Sequence, residues 1–245
     1  MIAKAFAANG AKVYITGRRL DVLERAATSV TGVPGSIVPI QMDVTDEESV
    51  KTGAKYIEGI DGKLDILVNN AGTTSPLRDS DFGGEKLVAT DHFESESMQT
   101  WMDLFILNTI APFFVVRAFQ PLLVKGARSR RGGTASVINI SSAGAQMNTA
   151  AYPVTKAALD KLTLVLGTSF AQRDIPIRVN VLAPGVFASQ SISPEVLEVI
   201  RAKPVPGTRH GNETEMGMAA VYLAASDYTN GAVLTVDGGM SLVNP

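Results

Sequence analysis

The sequence predicts an α/β fold, a doubly wound parallel sheet covered by helices on both faces and built as a single domain over residues 1–245. Three observations predict it. Short β-branched runs recur at KVYIT (12–16), SIVPI (36–40), DILVN (65–69), SVINI (136–140), IRVNVL (177–182) and AVLTV (232–236), with segments of helical periodicity between them. The runs are close to continuously apolar, which suits strands buried on both faces. At 245 residues, 45% hydrophobic and 19% charged, the chain is long enough to bury one large core.

Taken in order, Ile2, Ala3, Phe6 and Ala7 share one helical face, and Asn9-Gly10 is a helix stop before the first run. A second helix is expected over Leu20–Ser29. Thr45-Asp46-Glu47-Glu48 matches a capping box, with Thr45 as N-cap and Glu48 reaching back, and opens a helix to Ile60. Thr73 to Ser97 is long and polar, carries Gly83-Gly84, and reads as an insertion or loop. The next helix runs from Met98 to Lys125. Its window Met102–Phe119 is the most apolar in the chain, but Asp103, Asn108, Pro112 and Arg117 interrupt it, so a core helix is expected rather than a membrane span. The basic run Lys125–Arg131 reads as a solvated loop. Helices over Tyr152–Ala171, with Pro153 in the first turn, and Thr214–Ala225 complete the alternation.

Composition narrows the function. A net charge of −2 argues against a nucleic-acid or acidic-membrane surface, and the absence of cysteine removes thiol nucleophiles, disulfides and thiolate metal sites. His92 and His210 have no carboxylate at ligand spacing, so no metal is expected. The N-terminal stretch lacks the pattern of a signal peptide and the last residues that of a retention signal, which points to a soluble cytoplasmic protein. Trp101 and Phe105, Phe113, Phe114 and Phe119 are expected in the core or a subunit contact.

Ligands of such sheets bind beyond the strand C-termini, so the residues after each run come first. Asn69-Asn70-Ala71-Gly72 follows the third run, where amides can cross-link loops and small residues admit a flat ligand. Ser141-Ser142 follows the fourth. Ten residues beyond Ser142, Tyr152-Pro153-Val154-Thr155-Lys156 opens a helix and sets Lys156 one turn from Tyr152. A phenol of ordinary pKa about 10 is a poor base at neutral pH, and a neighbouring cation favours its ionised form. Singly, each motif also fits a turn or a snorkelling lysine.

Together and in this order, NNAG, Ser-Ser after the next strand, Tyr-x-x-x-Lys, Pro184-Gly185 after another strand and Val236-Asp237-Gly238-Gly239 near the end resemble the short-chain dehydrogenase/reductase family. The resemblance runs from Met1 to about residue 240 and implies a Rossmann-like fold and an oxidoreductase interconverting a secondary alcohol and a ketone by hydride transfer. It implies Tyr152 as general acid/base and Lys156 as its activator and holder of the nicotinamide ribose. Ser142 would steady the substrate oxygen, and Asn108 would hold a proton-relay water. Val186, Phe187 and Ser189 would line the nicotinamide end, Asp43 would contact the adenine, and Asn70, Ala71 and Gly72 would flank the adenosine. Ser189 to Pro206 would form the substrate lid. A small-molecule substrate and a homodimer or homotetramer are also implied.

At the end of the first run, Thr16-Gly17-Arg18-Arg19 offers two guanidinium groups and no acid. An acid there suits the ribose 2′-hydroxyl of NAD, and arginine the 2′-phosphate of NADP, so Arg18 and Arg19 favour NADP. The family's T-G-x-x-x-G-x-G turn has no counterpart, since none of the 22 glycines forms a G-x-G. The sequence therefore reads as N-terminally truncated relative to the family, lacking a first strand that would lie between 12–16 and 65–69. The alternative is a non-enzymatic, SDR-like relic or interaction protein with impaired cofactor binding.

Overall fold

A computed structural model describes residues 1–73, 97–131, 133–146, 151–187 and 205–243. The described elements run α1 (Ile2–Ala8), β1 (Lys12–Gly17), α2 (Leu20–Thr28), β2 (Ser36–Gln41), α3 (Glu47–Asp61), β3 (Ile66–Asn69) and α4 (Met98–Phe105). They continue through a π-helical turn (Ile106–Ile110), α5 (Ala111–Arg128), β4 (Ala135–Ile140), a 3₁₀ turn (Ala143–Gln146), α6 (Ala151–Gln172), β5 (Ile177–Pro184), α7 (Glu213–Ala225), β6 (Val233–Val236) and α8 (Met240–Val243). Each strand run expected from the sequence is present. The segment expected as a long polar loop lies almost wholly outside the described residues, as do His92 and most of the expected lid.

All pairings are parallel. β1 pairs with β2 in one sheet, and β3, β4, β5 and β6 follow in that order in a second. No ladder joins β1 to β3 among the described residues. The two sheets therefore part where the sequence placed the family's first strand. The apolar layers nevertheless run across the junction. On one face Tyr14 of β1 and Leu67 of β3 pack on a cluster that includes Met42, Val50, Val115, Phe119, Val137 and Val179. On the other, Val13 of β1 and Val68 of β3 pack on Phe6, Ile138, Leu182, Met216 and Leu223. The central strands β4 and β5 are buried almost throughout, whereas β1 and β3 are only partly buried.

Local details explain how β1 is held. Asn9 closes α1 and Gly10, at φ +87°, takes the left-handed turn that a residue with a Cβ adopts only at a cost. α1 then lies close against α7, where a Cβ on Gly217 would stand 2.6 Å from that of Ala5. Lys4 and Glu213 pair across the same contact at 2.7 Å, both largely exposed.

Three local expectations are corrected. Asp46, not Thr45, caps α3: its carboxylate accepts from the backbone N–H of Glu48 at 2.9 Å and of Ser49 at 3.3 Å. Thr45 instead donates its hydroxyl to Asp43 at 2.7 Å, so Glu48 falls one position too early to complete a box. A complete capping box does form at Asn212 and Glu215, opening α7. Lys125–Arg128 is not loop but the last turn of α5, where cations meet the negative end of the helix dipole and Lys125 pairs with Glu58 at 2.8 Å.

The third correction is that the helix expected over Met98–Lys125 is broken by the π-helical turn at Ile106–Ile110. Met98–Arg128 is long and apolar enough to cross a membrane by length and composition alone. Its Leu104, Leu107, Val115, Val116, Phe119, Leu122 and Leu123 are all buried in the protein, as a core helix requires.

Candidate active site

The chain end of β4 and the start of α6 converge. β4 delivers Ser141 and Ser142 at its carboxyl end, and α6 begins with Tyr152 and Lys156 one turn apart, four residues being neighbours on a helix face. The Lys156 ammonium is buried, donates to the Ile140 carbonyl at 2.8 Å and stands 5.8 Å from the centre of the Tyr152 ring. The Ser142 hydroxyl accepts the N–H of Gly144 at 3.0 Å and faces the phenol. Ser141 turns the other way, is buried, and donates to the Lys156 carbonyl at 3.2 Å. Of the two serines, only Ser142 presents its hydroxyl to Tyr152.

The electrostatics differ from the expectation that the lysine acidifies the phenol. Burial pushes the Tyr152 phenol above its ordinary range, and the group that opposes this is Ser142, not Lys156. The reason is geometric: the ammonium is tied to a main-chain carbonyl and faces the ring rather than the hydroxyl. Burial also pulls Lys156 down to about 8, with the carboxylate of Asp160 opposing that shift.

Asn108 reaches the site through the π-helical turn. One extra residue per turn there rotates it fully inward. Its Oδ1 accepts the N–H of Thr73 and its Nδ2 donates to the Thr73 carbonyl, both at 3.0 Å, and Nδ2 also reaches the Thr155 hydroxyl at 3.0 Å. One side chain thus clamps the chain after Asn70-Ala71-Gly72 onto α6. Gly72 itself is so close that a Cβ would stand 3.1 Å from both Asn108 Oδ1 and Lys156 Nζ.

Sequence reasoning missed the buried polar frame behind these groups. Asn69 donates to Asn139 at 2.8 Å across β3 and β4, and Asn139 donates to Thr163 at 2.8 Å. Thr155 donates to the Tyr152 carbonyl at 2.7 Å, and Thr109 to the Thr155 carbonyl at 2.8 Å. The available signal was an asparagine inside two otherwise apolar strands, which only a built-in partner makes tolerable.

The remaining expected residues occupy the carboxyl ends of successive strands. Arg18 and Arg19 follow β1 and are exposed, Arg18 accepting from Gln41 at its carbonyl and Arg19 standing at the N-cap of α2. Asp21, a possible partner for them, pairs with Arg25 at 3.0 Å. Asp43, after β2, binds the N–H and hydroxyl of Thr45. Asn70, Ala71 and Gly72 follow β3 and are exposed. Val186 follows β5 and is half-buried, whereas Phe187 is buried, part of the core with Leu182 and Met216, and bridged to Gly211. Ser189 lies outside the described residues. Among the described residues no group of histidines and carboxylates is placed to hold a metal.

A parallel α/β sheet whose strand ends carry a Ser-Tyr-Lys-Asn cluster defines a dinucleotide-type oxidoreductase fold. Comparison with known proteins gives the family. A family model described as enoyl-(acyl carrier protein) reductase matches residues 1–241. The short-chain dehydrogenase/reductase VdtF of Byssochlamys spectabilis is 35% identical, over 98% of this chain and 87% of that protein. Gluconate 5-dehydrogenase of Gluconobacter oxydans is 31% identical, over 98% and 89%. Among solved structures, the Pseudomonas aeruginosa RhlG/NADP active-site complex superposes with a TM-score of 0.82 at 31% identity, covering 98% of this chain and 90% of that one. The chain belongs to the short-chain dehydrogenase/reductase family, a family of oxidoreductase enzymes.

Proposed function

We propose that this protein is an NADP-dependent oxidoreductase interconverting a secondary alcohol and a ketone, with Tyr152 as general acid/base. The observation that carries this reading is the convergence of the Ser142 hydroxyl, the Tyr152 phenol and the buried Lys156 ammonium at one strand end. Nicotinamide, when bound, supplies the hydride that no side chain can. The residues that would hold it are Lys156 and the Gly72 backbone at the ribose, with Val186 nearby. The closeness of Gly72 to Lys156 and Asn108 fits such a group, because nothing larger than hydrogen stands between that backbone and the ammonium.

Each residue then has a task. A phenol held above its ordinary pKa is protonated at neutral pH, so Tyr152 is set to give a proton to a carbonyl oxygen. Ser142 donates to that same oxygen and fixes its position. Lys156 carries positive charge beneath the ring and so offsets the phenolate left after the proton has gone. Asn108 keeps the Gly72-Thr73 chain and α6 in register. Arg18 and Arg19, with Asp43, Asn70 and Ala71, would meet the adenosine end. Phe187 supports the wall from the core, and Ser189 belongs to the same reading.

The family tie and an apolar surface support a homodimer or homotetramer. Met98, Met102, Ile106, Ile110 and Phe113 are exposed at intervals of three or four residues along α4, the π-helical turn and α5. One observation favours the alternative of impaired cofactor binding: β1 and β3 share no ladder, and the sequence offers no G-x-G turn for the pyrophosphate. The test of the main reading is Tyr152→Phe. Turnover of secondary alcohols with NADP should fall by about a thousandfold or more while cofactor affinity is kept; undiminished turnover would remove Tyr152 from the acid/base role.

A further inference from the structure

Asp160 stands one helical turn beyond Lys156 on α6, so that Tyr152, Lys156 and Asp160 follow at intervals of four along one face. Its Oδ1 is fully buried and accepts no hydrogen bond among the described residues. Ser141, at the end of β4, gives its proton to the Lys156 carbonyl at 3.2 Å and not to this oxygen. Asp160 is half-buried, but a carboxylate oxygen buried without a partner is costly, and one explanation for such a group is that its charge is used.

We propose that Asp160 is a positioning residue whose negative charge, one helical turn away on the same face of α6, keeps the Lys156 ammonium protonated beneath Tyr152. This rests on the reading of Tyr152 and Lys156 as acid/base and activator. Three observations point the same way. Ile140 and Ser141, consecutive at the end of β4, engage the Lys156 ammonium and the Lys156 carbonyl, so both ends of the lysine that begins the turn to Asp160 are anchored to one strand end. Burial pushes the Asp160 carboxyl up, and Lys156 is the charged group that opposes this; Asp160 in turn is the charged group whose field supports Lys156 against desolvation, among the described residues. The neighbours of Lys156 on the other elements, Asn108 on the π-helical turn and Gly72 after β3, are uncharged. Tyr152 is the other titratable group, and burial keeps it neutral well past pH 7.

The consequence is quantitative. Burial already brings Lys156 to about 8, close enough to neutrality that losing its counter-charge would leave much of the lysine uncharged near pH 7.5. An opposite charge one helical turn away is worth about one pH unit or more in a buried setting.

The experiment is an NMR titration of the isotopically labelled lysine side chains in the full chain without added substrate, with the Lys156 signal assigned through Lys156→Met. In Asp160→Asn the Lys156 midpoint should fall by about one pH unit, and Asp160→Glu should restore most of it. If Asp160→Asn does not fold, Asp160→Gln against Asp160→Glu makes the same comparison. An unchanged midpoint in the neutral variant would overturn the proposal, as would equal midpoints in the neutral and acidic variants. A purely structural role would shift thermal stability without moving this titration. Because the measurement does not depend on turnover, it stands apart from the Tyr152→Phe test, and either result can fail without the other.

Discussion

The Lys156 ammonium is bonded to the carbonyl of Ile140 at 2.8 Å, so the cation of the site is held by the main chain of the central strand rather than by the phenol it serves. Burial lowers this lysine from 10.5 to about 8. The sign of the resulting stability change follows from proton counts. Between about pH 8 and 10.5 the unfolded chain holds a proton on this lysine that the folded chain has released, so stability rises with pH across that window. Below pH 8 both states are charged and the folded state carries the full desolvation cost. Lys156→Met should therefore raise Tm at pH 7, by roughly 5 °C, with the advantage shrinking toward pH 10.5. Thermal scans of both proteins across this range measure it. A constant difference between the two at every pH would show that the lysine is not desolvated as described.

Much of this arrangement was legible in the sequence, and the boundary of legibility has a physical cause. The six strands and the Tyr152–Lys156 spacing were visible because apolar runs and four-residue intervals are local properties. Ser142 could be preferred over Ser141 from its motif, and its hydroxyl does face Tyr152. The direction of the phenol's shift was not legible, because it depends on burial and on where the lysine is tethered, both set by β4 and not by the helix carrying the pair. Asp43 and Thr45 show the same limit at small scale. The cap of α3 moved by one residue because Asp46 competes for the same N–H groups and Thr45 has another acceptor within reach. The π-helical turn that brings Asn108 inward, and the Asn69–Asn139 pair, come from contacts 47 and 70 residues apart, which no local pattern encodes.

In the proposed reading Arg18 and Arg19 carry a preference for NADP, and their position directly after β1 makes it testable. A guanidinium on a phosphate is worth a charge-assisted hydrogen bond, so Arg18→Ala or Arg19→Ala should weaken NADPH binding about tenfold while leaving NADH binding unchanged. With no G-x-G turn in the sequence, binding to this 245-residue chain is expected to be weak, with a Kd above about 1 μM. Isothermal calorimetry with both cofactors supplies both answers. Equal losses for NADPH and NADH would assign the arginines to the start of α2 instead, and a submicromolar Kd would show that the pyrophosphate is met by other groups.

The parting of the sheets predicts uneven stability. Among the described residues β4 is paired on both sides, to β3 and β5, and β5 to β4 and β6, whereas β1 has β2 alone and β3 has β4 alone. What attaches the β1–β2 unit is packing: the two apolar layers and the close approach of α1 to α7 at Ala5 and Gly217. Packing without a ladder opens more readily, because a local opening need not break the hydrogen bonds of the central strands. Native-state hydrogen exchange should therefore find the ladder amides of β1 and β2 exchanging at least about tenfold faster than those of β4 and β5, a difference of roughly 1.4 kcal/mol. Gly217→Val should widen the gap, since its side chain would enter space where even a Cβ stands 2.6 Å from that of Ala5. Protection in β4 and β5 should change less, because Gly217 meets α1 and not those strands. Equal protection across all four strands in the parent chain would mean that the apolar layers alone weld the two sheets into one cooperative unit.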